Sequence, residues 1–290
     1  NYHLMKNNFL HSALKPILQK NLPFKNKFKD RTCYIFGNGA SFKYMELKNF
    51  TDHPTIAINH LVLHKDFHLL DTCCYALIEP LSFYSYFKNP YLKKYQANIM
   101  GKLFKREIAK FPDLNLFTSF TNIFGSPLNR TFYLHHFGMR NPDSKHLDLC
   151  SEFSYLAGGL HAGIGLAIEL GFKKAILVGC DYLTKPRTFG HFYSQPQHGK
   201  DDGFRPYTHL LEDFSSKFEL EVISVYAKDC WLASIDYETF TGSPVKYREN
   251  TEIVNKENLL ALNKAFEMEQ YTAPVLPLDY EMEVKINNEN

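Results

Sequence analysis

Residues 159–182 read GLHAGIGLAIELGFKKAILVGCDY, and this stretch determines the predicted fold. Its apolar residues recur at helical spacing: Leu160, Ile164 and Ala167. Gly171 stands where a glycine cap ends a helix, and an all-apolar run leading to Val178 follows after a short connection. A helix, a glycine and an apolar strand form half of a βαβ unit, which indicates a parallel sheet covered on both faces.

The same alternation of strands and helices continues on both sides of this unit. Runs rich in β-branched and aromatic residues predict strands over 32–36, 55–58, 73–78, 114–120, 130–137 and 220–226. Helices are predicted over 207–218 and 252–266. This alternation predicts an α/β fold with a doubly wound, mostly parallel sheet.

The composition excludes several classes of protein. The 33 Lys and Arg residues balance 31 Asp and Glu residues, so the net charge of +2 argues against a nucleic-acid partner. No run reaches the roughly 18 apolar residues of a transmembrane helix, and residues 1–30 contain no signal-peptide core. We therefore expect a cytoplasmic protein whose six cysteines are free thiols, since none forms a C-x-x-C pair.

The chain divides into three predicted parts. Residues 1–30 form a basic helical segment, 31–245 the ligand-binding α/β domain, and 246–290 a helix with an acidic tail. The basic segment has an apolar helical face that would suit peripheral contact with the inner face of an anionic membrane, but a surface helix packed on the core explains the same residues. The polar loop 183–206 is long enough to be functional.

Ligands of doubly wound sheets bind at the carboxyl ends of the strands, which selects three places in this sequence. One is Gly37-Asn38-Gly39 with Ser41, whose backbone N–H groups and hydroxyl would suit a phosphate, although Phe42 replaces the third glycine of a dinucleotide fingerprint. Asn38 adds an amide donor and acceptor. The other two places are Asn59 with Glu79, and Asp181 with Tyr182.

The polar loop that follows Asp181 in the sequence contains candidate catalytic groups. His198 is a candidate general base, and His191 and His209 are its competitors. Tyr182 and Tyr193 have phenol hydroxyls that would stabilise a departing phosphate, unless both simply pack in the core. The chain has no H-E-x-x-H motif and no Asp-x-Asp pair, so we expect neither a metal nor another cofactor.

Three segments in this order resemble the bacterial sialyltransferases of glycosyltransferase family 42. They are 35–41 (IFGNGAS), 158–182 with its small-residue turn and its strand end GCDY, and 220–232. The resemblance implies a Rossmann-like variant of the GT-A type with a mobile lid, and an inverting, metal-independent transfer from a CMP-sugar. It places the donor on Asn38, Ser41 and Asn59, makes His198 the base, and matches Tyr182 and Tyr193 to a pair of phosphate-binding tyrosines.

Two departures from the family bear on the sugar. Gly158 and Gly159 stand where the family has a serine that meets the donor carboxylate, so backbone N–H groups would serve instead. Glu79 replaces an asparagine of the family. Sialic acid, a related nonulosonic acid and Kdo all remain open as the transferred sugar.

Three functions follow as hypotheses. The first is a glycosyltransferase that moves a sugar acid from a CMP-sugar to a bacterial surface glycan or glycolipid, such as lipopolysaccharide or capsule. The second is a nucleotide or pterin diphosphotransferase of the same fold, and the third is a non-catalytic nucleotide-binding relative. A homo-oligomer is compatible with each of them.

Overall fold

The computed structural model of the chain describes residues 14–84, 92–136, 146–154, 158–185, 188–194, 197–198, 208–225 and 229–266. Within them the strands are β1 (Thr32–Phe36), β2 (Thr55–Ile58), β3 (Thr72–Leu77), β4 (Leu116–Ser119), β5 (Thr131–Leu134), β6 (Lys174–Val178), β7 (Thr184–Lys185), β8 (Thr188–Phe189), β9 (Gln197–His198), β10 (Glu219–Ser224), β11 (Asp229–Cys230) and β12 (Ala233–Asp236). The α-helices are α1 (Lys94–Ile108), α2 (Gly159–Glu169), α3 (Thr208–Ser215), α4 (Tyr237–Thr241), α5 (Asn250–Ile253) and α6 (Lys256–Phe266).

Eight strands form one sheet in the order β12-β10-β6-β1-β2-β3-β4-β5. Each pair of neighbours in it runs parallel. The short strands pair outside this sheet, β7 with β11 and β8 with β9, both antiparallel. The prediction of a mostly parallel sheet is thus confirmed, and every pairing in the large sheet is parallel.

Helices cover both faces of the sheet, because successive strand residues point to opposite sides. Tyr34 and Phe36 of β1 belong to one buried apolar cluster, which α1 and α6 complete. Cys33 and Ile35 belong to the other, which α2 and α3 complete. This two-sided cover confirms the α/β fold and is compatible with a Rossmann-like arrangement.

Helix α2 packs unusually close to the sheet. A Cβ atom on Gly163 would lie 2.9 Å from Ile58 Cδ1 and 3.0 Å from Ile35 Cγ2, so glycine lets the helix backbone approach β1 and β2. Gly171, directly after the helix, has φ +85°, a left-handed conformation that favours glycine. The predicted glycine cap is therefore confirmed.

The flanking segments differ in part from their predictions. The single helix predicted over 252–266 is two helices, α5 and α6. Of the predicted lid, 183–206, the structure describes 183–185, 188–194 and 197–198. In the basic segment 1–30, the described residues begin at Leu14, and the side chains of Leu14, Leu18 and Phe24 are buried against the protein. The described part of that apolar face packs on the core, as the alternative to membrane contact requires.

All six cysteines are free thiols. Among the helices in the described ranges, none combines the length and the apolar character needed to cross a membrane.

Candidate functional site

The candidate site lies where the strand order reverses. From β1 the chain builds the sheet outward through β2 to β5, and then returns to add β6 on the other side of β1. In doubly wound sheets the carboxyl ends of the strands border a crevice at such a reversal. A cavity of about 220 Å³ occupies this place. The described residues that line it are Gly37, Asn38, Gly39, Ile58, Asn59, Gly159, Leu160, Gly179, Cys180, Asp181, Tyr182, Gly190 and His191.

The glycine loop after β1 is fastened to the end of β6. Gly37 N donates to Val178 O at 2.8 Å, and Gly39 N donates to Gly179 O at 2.9 Å. A Cβ atom on Gly37 would lie 2.4 Å from Gly179 O, so this close approach requires glycine. These N–H groups were predicted to bind a phosphate. They bind the neighbouring strand end instead, because the loop continues the β1–β6 hydrogen bonding beyond the strands.

Asp181 fastens the same loop from the other side. Its carboxylate accepts hydrogen bonds from Ser41 N at 2.8 Å and from Ser41 Oγ at 2.6 Å, and both residues are buried. A Cβ atom on Gly39 would lie 2.4 Å from Asp181 Cγ. Ser41 and Asp181 were both predicted to contact the donor. In the structure they contact each other, and Ser41 does not line the cavity.

Two asparagines that line the cavity have acceptor oxygens without a described partner. Asn38 Oδ1 and Asn59 Oδ1 are buried, and neither has a hydrogen-bond partner among the described residues. Asn59 has φ +50° at the end of β2, where its backbone carbonyl accepts a hydrogen bond from the Tyr75 hydroxyl. A buried amide oxygen without a partner carries a free-energy cost that a ligand N–H or O–H donor would relieve.

The N-terminus of α2 lines the cavity beside Asn59. Gly159 and Leu160 of its first turn line the cavity, and Gly158 is the N-cap. First-turn N–H groups have no acceptor within their own helix, so they suit an anionic ligand group. A Cβ atom on Gly159 would lie 2.8 Å from Asn59 Nδ2, so glycine lets the helix start approach the asparagine.

His191 is the described histidine that lines the cavity. It pairs in an isolated antiparallel bridge with Gly39, and Phe192 N donates to Asn38 O at 3.1 Å. Burial lowers the pKa of the His191 imidazole, and a hydrogen bond to the Asn38 backbone acts in the opposite direction. A neutral imidazole at this position is able to accept a proton.

Of the two tyrosines predicted to be catalytic, one lines the cavity and the other is buried and does not line it. Tyr182 lines the cavity and its side chain is half exposed. Burial raises the pKa of its phenol, and the neighbouring Asp181 charge adds to this, so the group stays a proton donor. Tyr193 is buried, with its ring centroid 5.0 Å from that of His191, and it is not among the lining residues. For His198 in β9 and His209 in α3 the structure describes the backbone only.

Sequence reasoning missed His60. Its ring centroid lies 5.6 Å from that of His191 and 5.4 Å from that of Tyr193. Burial lowers the pKa of His60 to about 3, and the nearby His191 adds to the effect, so the imidazole is neutral. Its place directly after Asn59, at the carboxyl end of β2, is the sequence feature that would have identified it.

In the described part of the chain, no group of three or more His, Cys, Asp or Glu side chains is placed to hold a metal ion. Metal independence stays a prediction, which a chelator tests.

Comparison of the chain with known protein families, with curated proteins and with solved structures found no match. The resemblance to glycosyltransferase family 42 therefore rests on the three sequence segments alone.

Proposed function

We propose that the protein is an inverting, metal-independent glycosyltransferase that moves a sugar acid from a CMP-sugar to a glycan or glycolipid. The observation that carries the proposal is the cavity between the ends of β1, β2 and β6. Asn38 and Asn59 line it, and their buried side-chain oxygens have no hydrogen-bond partner among the described residues. Doubly wound sheets bind nucleotides at this position.

The hydrogen-bonding groups of the cavity wall indicate where each part of a CMP-sugar would bind. Asn38 Oδ1 and Asn59 Oδ1 are acceptors, so they match groups that carry protons, such as the amino group of cytosine or ribose hydroxyls. A phosphate or a sugar carboxylate is itself an acceptor, so it would lie at the first turn of α2. We assign the nucleoside to the asparagines and the anionic groups to Gly158, Gly159 and Leu160.

The transfer needs a base and a group that stabilises the leaving phosphate. In the proposed reaction the acceptor oxygen attacks the anomeric carbon, the bond from this carbon to the phosphate oxygen breaks, and CMP leaves with the electron pair. A histidine takes the hydroxyl proton, and Tyr182 donates a hydrogen bond to the departing phosphate. His191 lines the cavity, whereas the family resemblance favours His198.

Nucleotide binding tests the proposal directly. We expect CMP to raise the melting temperature of the protein, and UDP, GDP and ATP to leave it unchanged, because only a ligand that binds the folded state stabilises it. Turnover of CMP-sugars should persist in excess chelator. Stabilisation by ATP or GDP with dependence on a divalent ion would favour phosphoryl transfer, and no response to any nucleotide would favour a non-catalytic protein.

Two histidine variants identify the base. We expect His191→Ala to lower kcat for CMP-sugar turnover by about 10² or more, the usual share of a general base. His198→Ala is measured beside it, and the exposed His68 provides the matched control, His68→Ala, which should leave kcat unchanged. A larger loss in His198→Ala than in His191→Ala would assign the base to His198.

A further inference from the structure

A second cavity of about 270 Å³ lies beyond the asparagine wall of the first. Helix α1 contributes apolar side chains to it, and Phe266 closes it from α6. The described residues that line it are His60, Leu77, Glu79, Leu81, Ser82, Leu92, Ala97, Met100, Phe104 and Phe266. Such apolar walls suit an apolar ligand with few polar groups.

Glu79 provides the carboxylate of this cavity. Its backbone carbonyl is fixed by hydrogen bonds from Ser82 Oγ at 2.8 Å and from Asn122 Nδ2 at 3.0 Å. Its side-chain oxygen Oε2 is buried and has no hydrogen-bond partner among the described residues. A buried carboxylate oxygen without a partner calls for a proton donor, because leaving it unpaired in an apolar surrounding is costly.

The two cavities share a wall. The Asn59 side chain lines the first cavity and hydrogen-bonds to the Glu79 side chain, which lines the second. His60 lines the second cavity, and its ring is 5.6 Å from that of His191, which lines the first. A ligand group held by Glu79 is therefore adjacent to the ligand held by Asn59.

We propose that the second cavity is the acceptor site, and that it takes an amphiphilic alcohol whose apolar part fills the cavity and whose hydroxyl donates a hydrogen bond to Glu79 Oε2. The role as an acceptor site rests on the proposed glycosyl transfer, whereas the ligand class rests on the cavity alone. A lipid-linked or alkyl-bearing sugar has this chemistry, and a fully polar oligosaccharide does not.

The charge state of Glu79 gives the proposal a pH signature. Burial raises the pKa of Glu79 to about 7, and the hydrogen bond from Asn59 limits the rise. The titratable groups placed near it are His60, which is neutral, and Tyr75, whose pKa is raised by burial and by the Glu79 charge. A carboxylate accepts a stronger hydrogen bond than a neutral acid, so an alcohol should bind better as Glu79 loses its proton.

Calorimetric titration of the full chain with n-octanol and with heptyl methyl ether tests this. The two compounds have the same size, but the ether lacks the hydroxyl proton. At about pH 8 we expect octanol to bind at least about tenfold more tightly than the ether. At about pH 6 the preference for octanol over the ether should be smaller. In Glu79→Gln the preference should no longer depend on pH.

A second variant blocks the cavity without touching Glu79. Ala97 is buried on α1 and lines the cavity, whereas Ala109 at the end of the same helix is exposed. Ala97→Leu should no longer bind octanol or the ether, but CMP should still stabilise it. Ala109→Leu should bind both compounds and should also be stabilised by CMP.

The outcomes separate this inference from the proposed function. Equal binding of octanol and ether, binding of neither, or an unchanged pH-dependent preference in Glu79→Gln would overturn the acceptor site. If octanol is preferred as expected but CMP has no effect, glycosyl transfer is wrong and the ligand class of the cavity stands.

Discussion

Asp181→Ala should lower the free energy of unfolding by about 3 to 5 kcal/mol, because it removes two buried, charge-assisted hydrogen bonds and leaves the Ser41 donors without their acceptor. The loop that carries Asn38 would lose its side-chain attachment to Asp181 and keep its backbone hydrogen bonds to Val178 and Gly179. Stabilisation by CMP should therefore disappear together with the stability of the loop. Urea denaturation measures the first effect, and thermal shift with and without CMP measures the second.

Two variants serve as comparisons for Asp181→Ala. Asp181→Asn keeps the shape and one acceptor oxygen, so its loss should be intermediate. Asp113 is exposed, and Asp113→Ala should change the free energy of unfolding by less than about 0.5 kcal/mol. If Asp181→Ala were as stable as Asp113→Ala, Asp181 would not be what holds the glycine loop.

Gly179→Ala should be about as damaging, for a steric reason. Gly179 has φ +67°, and a Cβ atom there would lie 2.3 Å from Phe42 Cε2. The Phe42 ring is buried and stacked on Phe36 with centroids 5.8 Å apart, so it has little room to move. Backbone strain and overpacking together should lower the free energy of unfolding by about 3 to 5 kcal/mol.

Gly242 is a matched control for this substitution. It has the same φ of +67°, but a Cβ atom there would meet no heavy atom within 4 Å. Gly242→Ala therefore isolates the backbone strain, which should amount to about 1 kcal/mol. Equal losses in the two variants, measured by urea denaturation, would show that the contact with Phe42 contributes nothing.

The parallel sheet could be predicted from sequence because its strands are buried on both faces. Thr32–Phe36, Thr55–Ile58 and Lys174–Val178 match their predicted bounds, since each is a short apolar run bounded by glycine, proline or polar residues. The edge strand Ala233–Asp236 was not predicted. Two of its four residues are polar and only Ile235 packs against the core, so it has no apolar run to mark it.

The place of the candidate site was also predictable, but the partners of its residues were not. The strand-end rule selected Asn38, Asn59 and Asp181 at three places in the sequence, and in the structure these three residues line one cavity. Which donor meets which acceptor depends on the fit of the loop after β1 to the end of β6, 140 residues later in the chain. That fit turns Ser41 and Asp181 into a pair, and no pattern in the sequence distinguishes this from two ligand contacts.

The position of β1 between β2 and β6 has a consequence for synthesis on the ribosome. Until Lys174–Val178 has been made, the strand with the sequence TCYIF has β2 on one side and an open edge on the other. An unpaired apolar edge is a template for association with other chains. The nascent protein is thus most exposed to aggregation over the interval between its first and sixth strands, and the step that ends this exposure also assembles the cavity of the candidate site.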